Sequence, residues 1–410
     1  MKKILVLFLV LSLVLVGCSA SVKTSQGVTA TGITVGTPLA VSGPFATVGI
    51  PFLDGITSYF KMINDQGGVN GRMISLVTHD HEMNVEKGKA AVDKMLNDTK
   101  VFALVGHFGT PVVNATIGDI KVKGTPAVYF ATGTGTLYNE KATGNDRVLF
   151  PVQPIYPMEG RIQAAYAHYY FGAKNVGIIY TNDDAGKDLL GGIKKEAATL
   201  GMAVVAESLQ PGSTDATSAV LKMTTENVDM IIYAGMQATY KAVVTAMETQ
   251  GFIKPLLMSY INADPVRRAD TLSNAPSVLA AGIYTTGWVK FSAMETAPFK
   301  TFETAMKANN KESSVIIGHA WAGWTAAHIF VEGLKRVPKN ELNWEKFLDA
   351  MENGQFQTPF GGTVNYANGA RLGVQQLNLA RMSASSATGW VPEQDDMRGL
   401  AEIKTMSPQK

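Results

Sequence analysis

The most informative segment of this chain is Val101-Phe102-Ala103-Leu104-Val105-Gly106-His107-Phe108-Gly109-Thr110-Pro111. It opens with an apolar run that is too short for a helix and is bounded by Gly106, which is typical of a buried strand. A helical pattern follows over residues 112–122. Thr110 is predicted to be the N-cap of this helix, because its hydroxyl can accept from N–H groups of the first turn. Pro111 then takes the first helical position, where a missing N–H has no cost.

The turn between this strand and this helix has the properties of an anion site. A helix start leaves backbone N–H groups unpaired at the positive end of the helix dipole, and such groups attract a carboxylate. An ordinary strand-to-helix connection would show the same pattern. Both interpretations of this segment therefore stay open: a binding site for a small acid, and an ordinary connection.

Short apolar runs alternate with helical patterns on both sides of this segment. Strands are predicted at residues 33–37, 73–78, 101–105, 127–130, 176–180, 203–208, 230–233, 256–259 and 282–285. Helices are predicted at residues 49–65, 85–97, 112–122, 157–170, 186–200, 214–227, 237–250, 318–336 and 343–351. This alternation indicates an α/β fold with parallel sheets covered by helices on both faces.

The alternation is interrupted once and then restarts. Residues 145–157 include Pro151, Pro154 and Pro157, which suit a crossover better than a helix or strand. A second series of similar rhythm begins at Val176. We therefore predict two doubly wound lobes, with ligand sites at the carboxyl ends of their strands.

The N-terminus carries an export signal. Lys2 and Lys3 precede an apolar run over residues 4–16 that is too short to span a bilayer. The run ends in Leu-Val-Gly-Cys, which resembles the lipobox of bacterial lipoproteins. Residues 1–17 are accordingly predicted to be a signal peptide, and residues 18–30 the lipidated Cys18 and a flexible tether.

Composition and motifs exclude several classes of function. Lys and Arg number 36 and Asp and Glu 34 among 410 residues, a balance that argues against nucleic acid as a partner. The segment His79-Asp80-His81-Glu82 has the composition of a metal site but lacks further ligands nearby. No Gly-x-Ser-x-Gly motif and no dinucleotide fingerprint occurs. We expect no cofactor, no metal and no enzymatic activity.

The mature chain resembles the substrate-binding proteins of ABC importers for hydrophobic amino acids and amides, including the leucine/isoleucine/valine-binding proteins. The motifs that carry the resemblance are Ser42-Gly43-Pro44, the segment from Ile63 to Arg72, Val105-Gly106-His107, Ala131-Thr132-Gly133 and the segment from Thr358 to Val364. Five motifs in matching order are far more specific than any one of them.

The resemblance implies two lobes joined by three crossovers, with a ligand enclosed as the lobes close. Residues 31–150 and 286–355 would form the first lobe, residues 151–285 and 356–388 the second, and residues 389–410 a C-terminal tail. The implied partners are a small-molecule carboxylate and the permease and ATPase of an importer. The protein would act as a monomer held to the membrane by its N-terminal lipid, facing the periplasm or the cell exterior.

The resemblance also implies which residues meet the ligand. Thr110 matches the position that binds the ligand carboxylate, and Ala131 a position whose backbone contacts the ligand. The turn Thr132-Gly133-Thr134 follows Ala131 directly. The remaining candidates are Ser42 and Phe108 in the first lobe and Asp184, Met236 and Tyr260 in the second.

This chain departs from the branched-chain amino acid pattern at the amine end of the ligand. Val48 and Ala185 stand where that pattern has tyrosines, and the glutamate that would hold the ammonium falls near Tyr260 or Ile261. A buried ammonium without a carboxylate is costly. The ligand therefore either lacks an ammonium or pairs with another carboxylate, and the candidates are Asp183, Asp184 and Asp264.

The expected function is that of a substrate-binding lipoprotein for a branched-chain or other hydrophobic amino acid. Two alternatives stay open. One is a receptor for an aromatic acid or another small acid that lacks an amino group. Such a ligand would suit a site with the apolar candidates Phe45, Phe108, Met236, Tyr260 and Trp288. The other is a ligand sensor that feeds a signalling protein.

Overall fold

The structure is a computed structural model that describes residues 25–408. The predicted signal peptide, Cys18 and most of the predicted tether lie outside the described residues. Within residues 25–408, no helix combines the length and the apolar character needed to cross a membrane.

Two sheets form the framework of the molecule. The first contains β1 (Gly32–Leu39), β2 (Met73–Asp80), β3 (Ala103–Phe108), β4 (Ala127–Ala131) and β5 (Leu149–Phe150), all parallel, in the order β2-β1-β3-β4-β5. The second contains β6 (Asn175–Thr181), β7 (Ala203–Leu209), β8 (Met230–Ala234), β9 (Leu256–Met258), β10 (Ile283–Gly287), β13 (Leu377–Met382) and β14 (Trp390–Arg398). A separate hairpin joins β11 (Gln355–Gln357) to β12 (Thr363–Asn365).

The second sheet repeats the topology of the first. Its parallel part has the order β7-β6-β8-β9-β10, in which the chain again starts one strand in from the edge, steps outward, and then returns to the other side. Such sheets bind ligands outside the carboxyl ends of the strands, near the point where the order reverses. The predicted α/β architecture of two doubly wound lobes is confirmed.

Helices cover both faces of each sheet. They are α1 (Ala46–Asp65), α2 (Val85–Asp93), α3 (Thr110–Lys123), α4 (Tyr156–Tyr169), α5 (Asp184–Leu200), α6 (Thr217–Thr225), α7 (Gln237–Thr249), α8 (Pro265–Asn274), α9 (Pro276–Ala281), α10 (Ala297–Ala308), α11 (Gly318–Lys335), α12 (Trp344–Glu352) and α13 (Leu400–Ile403). Helices α1 and α11 cross so closely that a Cβ on Gly55 would lie 2.1 Å from the Ala320 carbonyl oxygen. Helix α11 thereby returns the chain to the first lobe.

The chain passes between the lobes three times. The connections are residues 151–155 after β5, residues 288–296 after β10, and residues 353–376, which include the β11–β12 hairpin. The exact lobe boundaries given above stay a prediction.

The C-terminal residues differ from the prediction. Residues 389–410 were expected to be a tail, but Trp390–Arg398 is strand β14, antiparallel to β13 at the edge of the second sheet. The strand is difficult to recognise because its side chains are mostly polar and, Trp390 excepted, are exposed or half-buried. Such a composition is usual for an edge strand.

The first described residues are fastened to the first lobe. The Gln26 amide donates to the carbonyl oxygens of Val101 (3.0 Å) and Leu96 (3.3 Å), and the Ser25 hydroxyl accepts from the Trp344 N–H at 2.6 Å. Gly27 has a φ of 72°, and a Cβ there would lie 2.2 Å from the Phe102 nitrogen. The chain therefore enters the fold beside the amino end of β3.

Candidate ligand-binding site

A cavity of about 570 Å³ lies between the two lobes, at the carboxyl ends of their parallel strands. Its walls are predominantly apolar and aromatic. The first lobe contributes Phe45, Val48, Phe52, Phe108, Thr110 and Ala131, and the second contributes Asp184, Ala185, Met236, Tyr260 and Ile261. Six of the ten predicted ligand residues therefore share this cavity: Phe108, Thr110, Ala131, Asp184, Met236 and Tyr260.

Thr110 stands at the start of α3, where the cavity meets the first lobe. The N-cap of the helix is Gly109, whose φ of 91° a larger residue would rarely adopt, so the prediction that Thr110 is the cap is wrong by one position. The first internal N–H bond of α3 runs from Val113 to the Gly109 carbonyl at 2.9 Å. The N–H groups of Thr110 and Val112 precede that bond at the positive end of the helix dipole.

The turn Thr132-Gly133-Thr134 lies behind the cavity wall. The Thr132 hydroxyl is 2.7 Å from that of Thr110 and accepts from the Thr134 N–H at 3.1 Å. The Thr134 hydroxyl donates to the Asn114 side-chain oxygen at 3.0 Å. None of these three residues lines the cavity, so the structure gives the turn a supporting position around Thr110.

Ser42 is the fourth predicted residue that does not line the cavity. It is exposed, and its hydroxyl hydrogen-bonds the Asp80 carboxylate, which also accepts from the Val41 N–H at 3.1 Å. These contacts tie the loop after β1 to the end of β2. Ser42 thus fixes the loop that carries Phe45 and Val48 to the cavity.

Tyr156 is a cavity residue that the sequence did not reveal. It begins α4 in the second lobe, is 3% exposed, and donates its N–H to the Gly133 carbonyl at 2.7 Å. Burial raises the pKa of Tyr156 to about 12, while the Gly133 N–H and the hydroxyls of Thr132 and Thr110 partly offset that rise. Hydroxyls from both lobes therefore converge at the start of α3.

The two central strands of the first sheet carry a paired irregularity that brings Tyr129 to the cavity. The pairing of β3 with β4 joins Val105 to Val128 and then His107 to Phe130. Between these pairs stand Gly106 and Tyr129, with φ values of 78° and 64°. A positive φ is rare for a bulky residue, and such outliers persist only where surrounding structure enforces them.

Tyr129 begins a chain of hydrogen bonds along the cavity floor. Its hydroxyl donates to the Gln153 side-chain oxygen at 2.9 Å, and the Gln153 amide donates to the Tyr260 hydroxyl at 2.8 Å. Tyr260 in turn donates to the Pro154 carbonyl at 3.0 Å. Burial raises the pKa of both tyrosines well above the usual value, so both are neutral donors. The chain links the two lobes through the first crossover.

The three aspartates that could pair with an ammonium are all engaged. Asp183 caps α5 and accepts from the Gly186 N–H at 2.8 Å, and burial raises its pKa. Asp264 caps α8 through the N–H groups of Val266 (2.8 Å) and Arg267 (3.0 Å). Asp184 accepts from the Asn114 amide across the lobes at 2.9 Å.

One further carboxylate, Glu159, lies directly behind Tyr260. It is fully buried and accepts from the Ser259 hydroxyl (2.8 Å), the Tyr260 N–H (2.9 Å) and the Thr286 hydroxyl (2.5 Å). Burial raises its pKa to about 7, and its three donors limit the rise. Glu159 therefore joins the turn after β9 to strand β10 and does not line the cavity.

Within residues 25–408, no group of three or more His, Cys, Asp or Glu side chains is arranged to hold a metal ion. The segment His79-Asp80-His81-Glu82 instead serves the loop after β2. The Asp80 carboxylate accepts from the Glu82 N–H at 3.0 Å, and the His81 ring accepts from the Met83 N–H at 3.1 Å.

Two doubly wound lobes that enclose an apolar cavity at their strand ends define a two-lobed solute-binding protein. Residues 32–388 match the periplasmic binding protein family, so the chain belongs to that family, whose members bind substrates outside the cytoplasm. The Leu/Ile/Val-binding protein homolog 1 of Brucella abortus (strain 2308) is 24% identical over 258 residues, which cover 62% of this chain and 67% of that protein.

Two solved structures show the same fold. A fatty acid ABC transporter substrate-binding protein from Thermomonospora curvata has a TM-score of 0.79 at 20% identity, covering 94% of this chain and 97% of that one. A branched chain amino acid ABC transporter protein from Thermus thermophilus with bound valine has a TM-score of 0.77 at 17% identity, covering 93% and 98%.

Proposed function

We propose that this protein is the extracytoplasmic substrate-binding component of an ABC importer and that it encloses an apolar organic acid between its lobes. It would bind as a monomer, without cofactor and without chemical conversion of the ligand, and would be anchored by a lipid on Cys18. The observation that carries the proposal is the cavity itself, which combines the N-terminus of α3 with walls of aromatic and aliphatic side chains.

The acid end of the ligand is assigned to the start of α3. The N–H groups of Thr110 and Val112 and the Thr110 hydroxyl can all donate there, and the positive end of the helix dipole favours a negative charge. The Tyr156 hydroxyl approaches the same place from the second lobe. A carboxylate bound here would contact both lobes at once.

The apolar end of the ligand is assigned to the remaining walls. Phe52, Phe108, Trp288 and Trp321 are each less than a tenth exposed, and all four line the cavity. A volume of about 570 Å³ falls within the range of roughly 300–1,000 Å³ in which proteins bury drug-sized ligands. The ligand is therefore expected to be larger than a single branched-chain amino acid.

The engaged state of the aspartates argues against a ligand ammonium. Asp183 and Asp264 use their oxygens to cap helices, and Glu159 is turned toward backbone and hydroxyl donors. A buried ammonium would thus lack a carboxylate unless Asp184 gave up Asn114. An aromatic or aliphatic acid avoids that cost.

A hydrophobic amino acid is the second candidate. Asp184 is exposed and lines the cavity, so rotation of its side chain could present a carboxylate to an ammonium. The valine bound to the Thermus thermophilus protein is an example of such a ligand in the same fold. The two candidates differ in one chemical group and can be compared directly.

Ligand capture would follow from the contacts between the lobes. The Asn114–Asp184 bond and the bond from the Gly135 N–H to the Asp188 carboxylate (2.7 Å) both join the first lobe to α5. A ligand that touches both lobes binds the closed arrangement more tightly and so increases its population. A closed complex is the form that a permease could distinguish from the empty protein.

The proposal is tested by thermal unfolding of the purified mature protein with a panel of matched pairs. Each pair contains an acid and its α-amino analogue, for example 4-methylpentanoate with leucine and 3-phenylpropanoate with phenylalanine. The acids are expected to raise the melting temperature more than their amino analogues. A larger shift with the amino acids would favour the second candidate, and no shift with any compound would overturn the proposal.

A further inference from the structure

The cavity does not end in the gap between the lobes. Its lining includes Gly287 at the carboxyl end of β10 and also Thr388 and Trp390, which belong to the β13–β14 connection and the start of β14. Gly287 pairs with Asn378, Arg381 pairs with both Tyr284 and Val391, and Met382 pairs with Trp390. Trp390 is therefore level with Ile283, at the opposite end of β10 from Gly287.

This register gives the depth of the extension. Ile283 lies four positions before Gly287, so the backbone positions that line the extension span about 13 Å along the strand at a rise of about 3.3 Å per residue. Trp390 belongs to the hydrophobic cluster on the sheet face that α7 and α9 cover, and Ala263 and Phe291 pack against the same cluster. We call this extension, lined by Ala263, Gly287, Phe291, Thr388 and Trp390, the side branch.

Helix α8 lies against the β13–β14 connection that lines the side branch, and it buries few of its own side chains. Of its ten residues only Thr271 is buried, whereas the neighbouring α7 buries seven of thirteen. Two of its apolar side chains face solvent, Val266 at 48% and Leu272 at 41% exposure. The Arg268 guanidinium donates to the Ser386 carbonyl, and a Cβ on Gly389 would lie 3.2 Å from the Arg268 Cβ. Arg268 thus ties α8 to the β13–β14 connection.

We infer that the side branch receives the apolar tail of an elongated carboxylic acid whose acid group rests at the start of α3. This inference rests on the proposed function and adds the shape of the substrate: a flexible, straight-chain tail that passes from the gap between the lobes into the second lobe. The assignment rests on the continuity of the cavity, because Thr110 and Trp390 both line it. The walls of the branch between them carry no charged side chain.

The test is a titration of the mature protein, freed of bound ligand, with straight-chain acids from butanoate to hexadecanoate at monomeric concentrations. Each buried methylene is worth about 0.8 kcal/mol, so Kd should fall about fourfold per added methylene until the tail reaches Trp390. Beyond that length Kd should stop falling.

Three variants, one of them a control, test where the tail lies. Ala263→Phe places a ring in the branch and should weaken binding of the long acids at least tenfold relative to the short ones. Ala269→Phe makes the same change on the exposed side of α8 and should follow the wild type. Phe291→Ala enlarges the branch, so the length at which Kd stops falling should increase; this variant keeps the inference testable if Ala263→Phe does not fold.

The outcomes of these experiments distinguish a failure of this inference from a failure of the proposed function. If short acids bind but Kd does not depend on chain length, or if Ala263→Phe weakens all acids equally, the tail does not enter the side branch and only this inference fails. If no acid of any length binds, the proposed function fails as well.

Discussion

The Asn114 amide on α3 donates to the Asp184 carboxylate on α5 at 2.9 Å, and this bond crosses from one lobe to the other. The same Asn114 accepts from the hydroxyls of Thr134 (3.0 Å) and Thr136 (2.8 Å), so its orientation is fixed by its own lobe. Asp184 is therefore met by a donor already in place when the lobes come together.

Removing this bond should weaken ligand binding without altering the cavity walls of the first lobe. For Asp184→Ala we expect a loss of about 0.5–1.5 kcal/mol in binding free energy, the usual net worth of a hydrogen bond, because the closed state loses a contact that the open state never had. Isothermal titration calorimetry measures it.

A double-mutant cycle with Asn114→Ala checks that the loss of binding free energy comes from the Asn114–Asp184 bond. The loss in the double variant should be smaller than the sum of the two single losses, since both substitutions remove the same bond. Asp119→Ala, at an exposed position later in the same helix, is the control and should bind like the wild type. Tighter binding by Asp184→Ala would contradict the role of the bond in closure.

Thr110→Val should impair binding of the acid group. The change keeps the shape of the side chain but removes a hydroxyl that bonds Thr132 and, by our proposal, the ligand carboxylate. A hydrogen bond to a charged group is worth about 1.5–3 kcal/mol, so Kd should rise by about one to two orders of magnitude. Thr110→Ser keeps the hydroxyl and should stay within a few-fold of the wild type. Equal affinity of Thr110→Val would place the acid elsewhere.

Glu159 should make folding stability depend on pH. Its pKa is raised from 4.5 to about 7 in the folded protein, so between these values the folded state binds more protons than the unfolded state. Its contribution to stability is then fully present below about pH 4.5 and is lost as the pH rises to 7. Glu159→Gln should gain stability relative to the wild type over this interval, by an amount on the order of 3 kcal/mol.

Urea unfolding of both proteins at several pH values measures that difference. The informative quantity is the difference in free energy of unfolding between the two proteins, since other titrating groups cancel in it. A difference that stays constant from pH 4.5 to 7 would show that Glu159 is ionised throughout.

Gly133→Ala should destabilise the protein. A Cβ at this position would lie 2.5 Å from the Pro154 carbonyl oxygen and 2.6 Å from the Tyr156 ring, so the start of α4 must shift. Overpacking of this kind costs about 1–3 kcal/mol. Gly118→Ala on α3 is the matched control: no atom lies within 4 Å of its added Cβ, and a helical alanine should instead stabilise. Thermal unfolding compares the two.

Cys18→Ala tests the proposed anchor. Without its thiol the mature N-terminus cannot carry a thioether-linked lipid, so the protein should move from the membrane fraction to the soluble extracytoplasmic fraction. Immunoblotting of fractionated cells measures this, with Ser19→Ala as the control. An unchanged membrane fraction would mean that the protein is retained by another route.

Periodicity and length were sufficient for the framework of the fold. The apolar runs before Gly106 and after Pro126 become β3 and β4, and the residues that follow them, Phe108, Thr110 and Ala131, reach the cavity because parallel strands end at one edge. The Thr132 turn carries the same local signal yet lies behind the wall. Long-range packing decides which of these two neighbouring turns faces the gap between the lobes. The local sequence of the turns does not show this.

The residues that were missed have no local signature. Gln153 lies in a proline-containing crossover whose direction depends on both lobes, and Tyr156 directly follows it. Tyr129 has a positive φ that its residue type disfavours. Strand β14 was missed because its residues after Trp390 are exposed or half-buried on both faces, so it lacks the apolar alternation that identifies strands. These features arise from long-range contacts rather than from local propensity.

The fastening of Ser25 and Gln26 beside the amino end of β3 has a mechanical consequence. With the proposed lipid on Cys18, the membrane attachment would join the first lobe at this end of β3, opposite the strand ends where the cavity lies, and a pull from the bilayer would act on that lobe. The second lobe, which the chain reaches through the crossovers, would be the lobe that moves relative to the proposed anchor. Opening and closing of the two lobes would then require no movement of the proposed anchor.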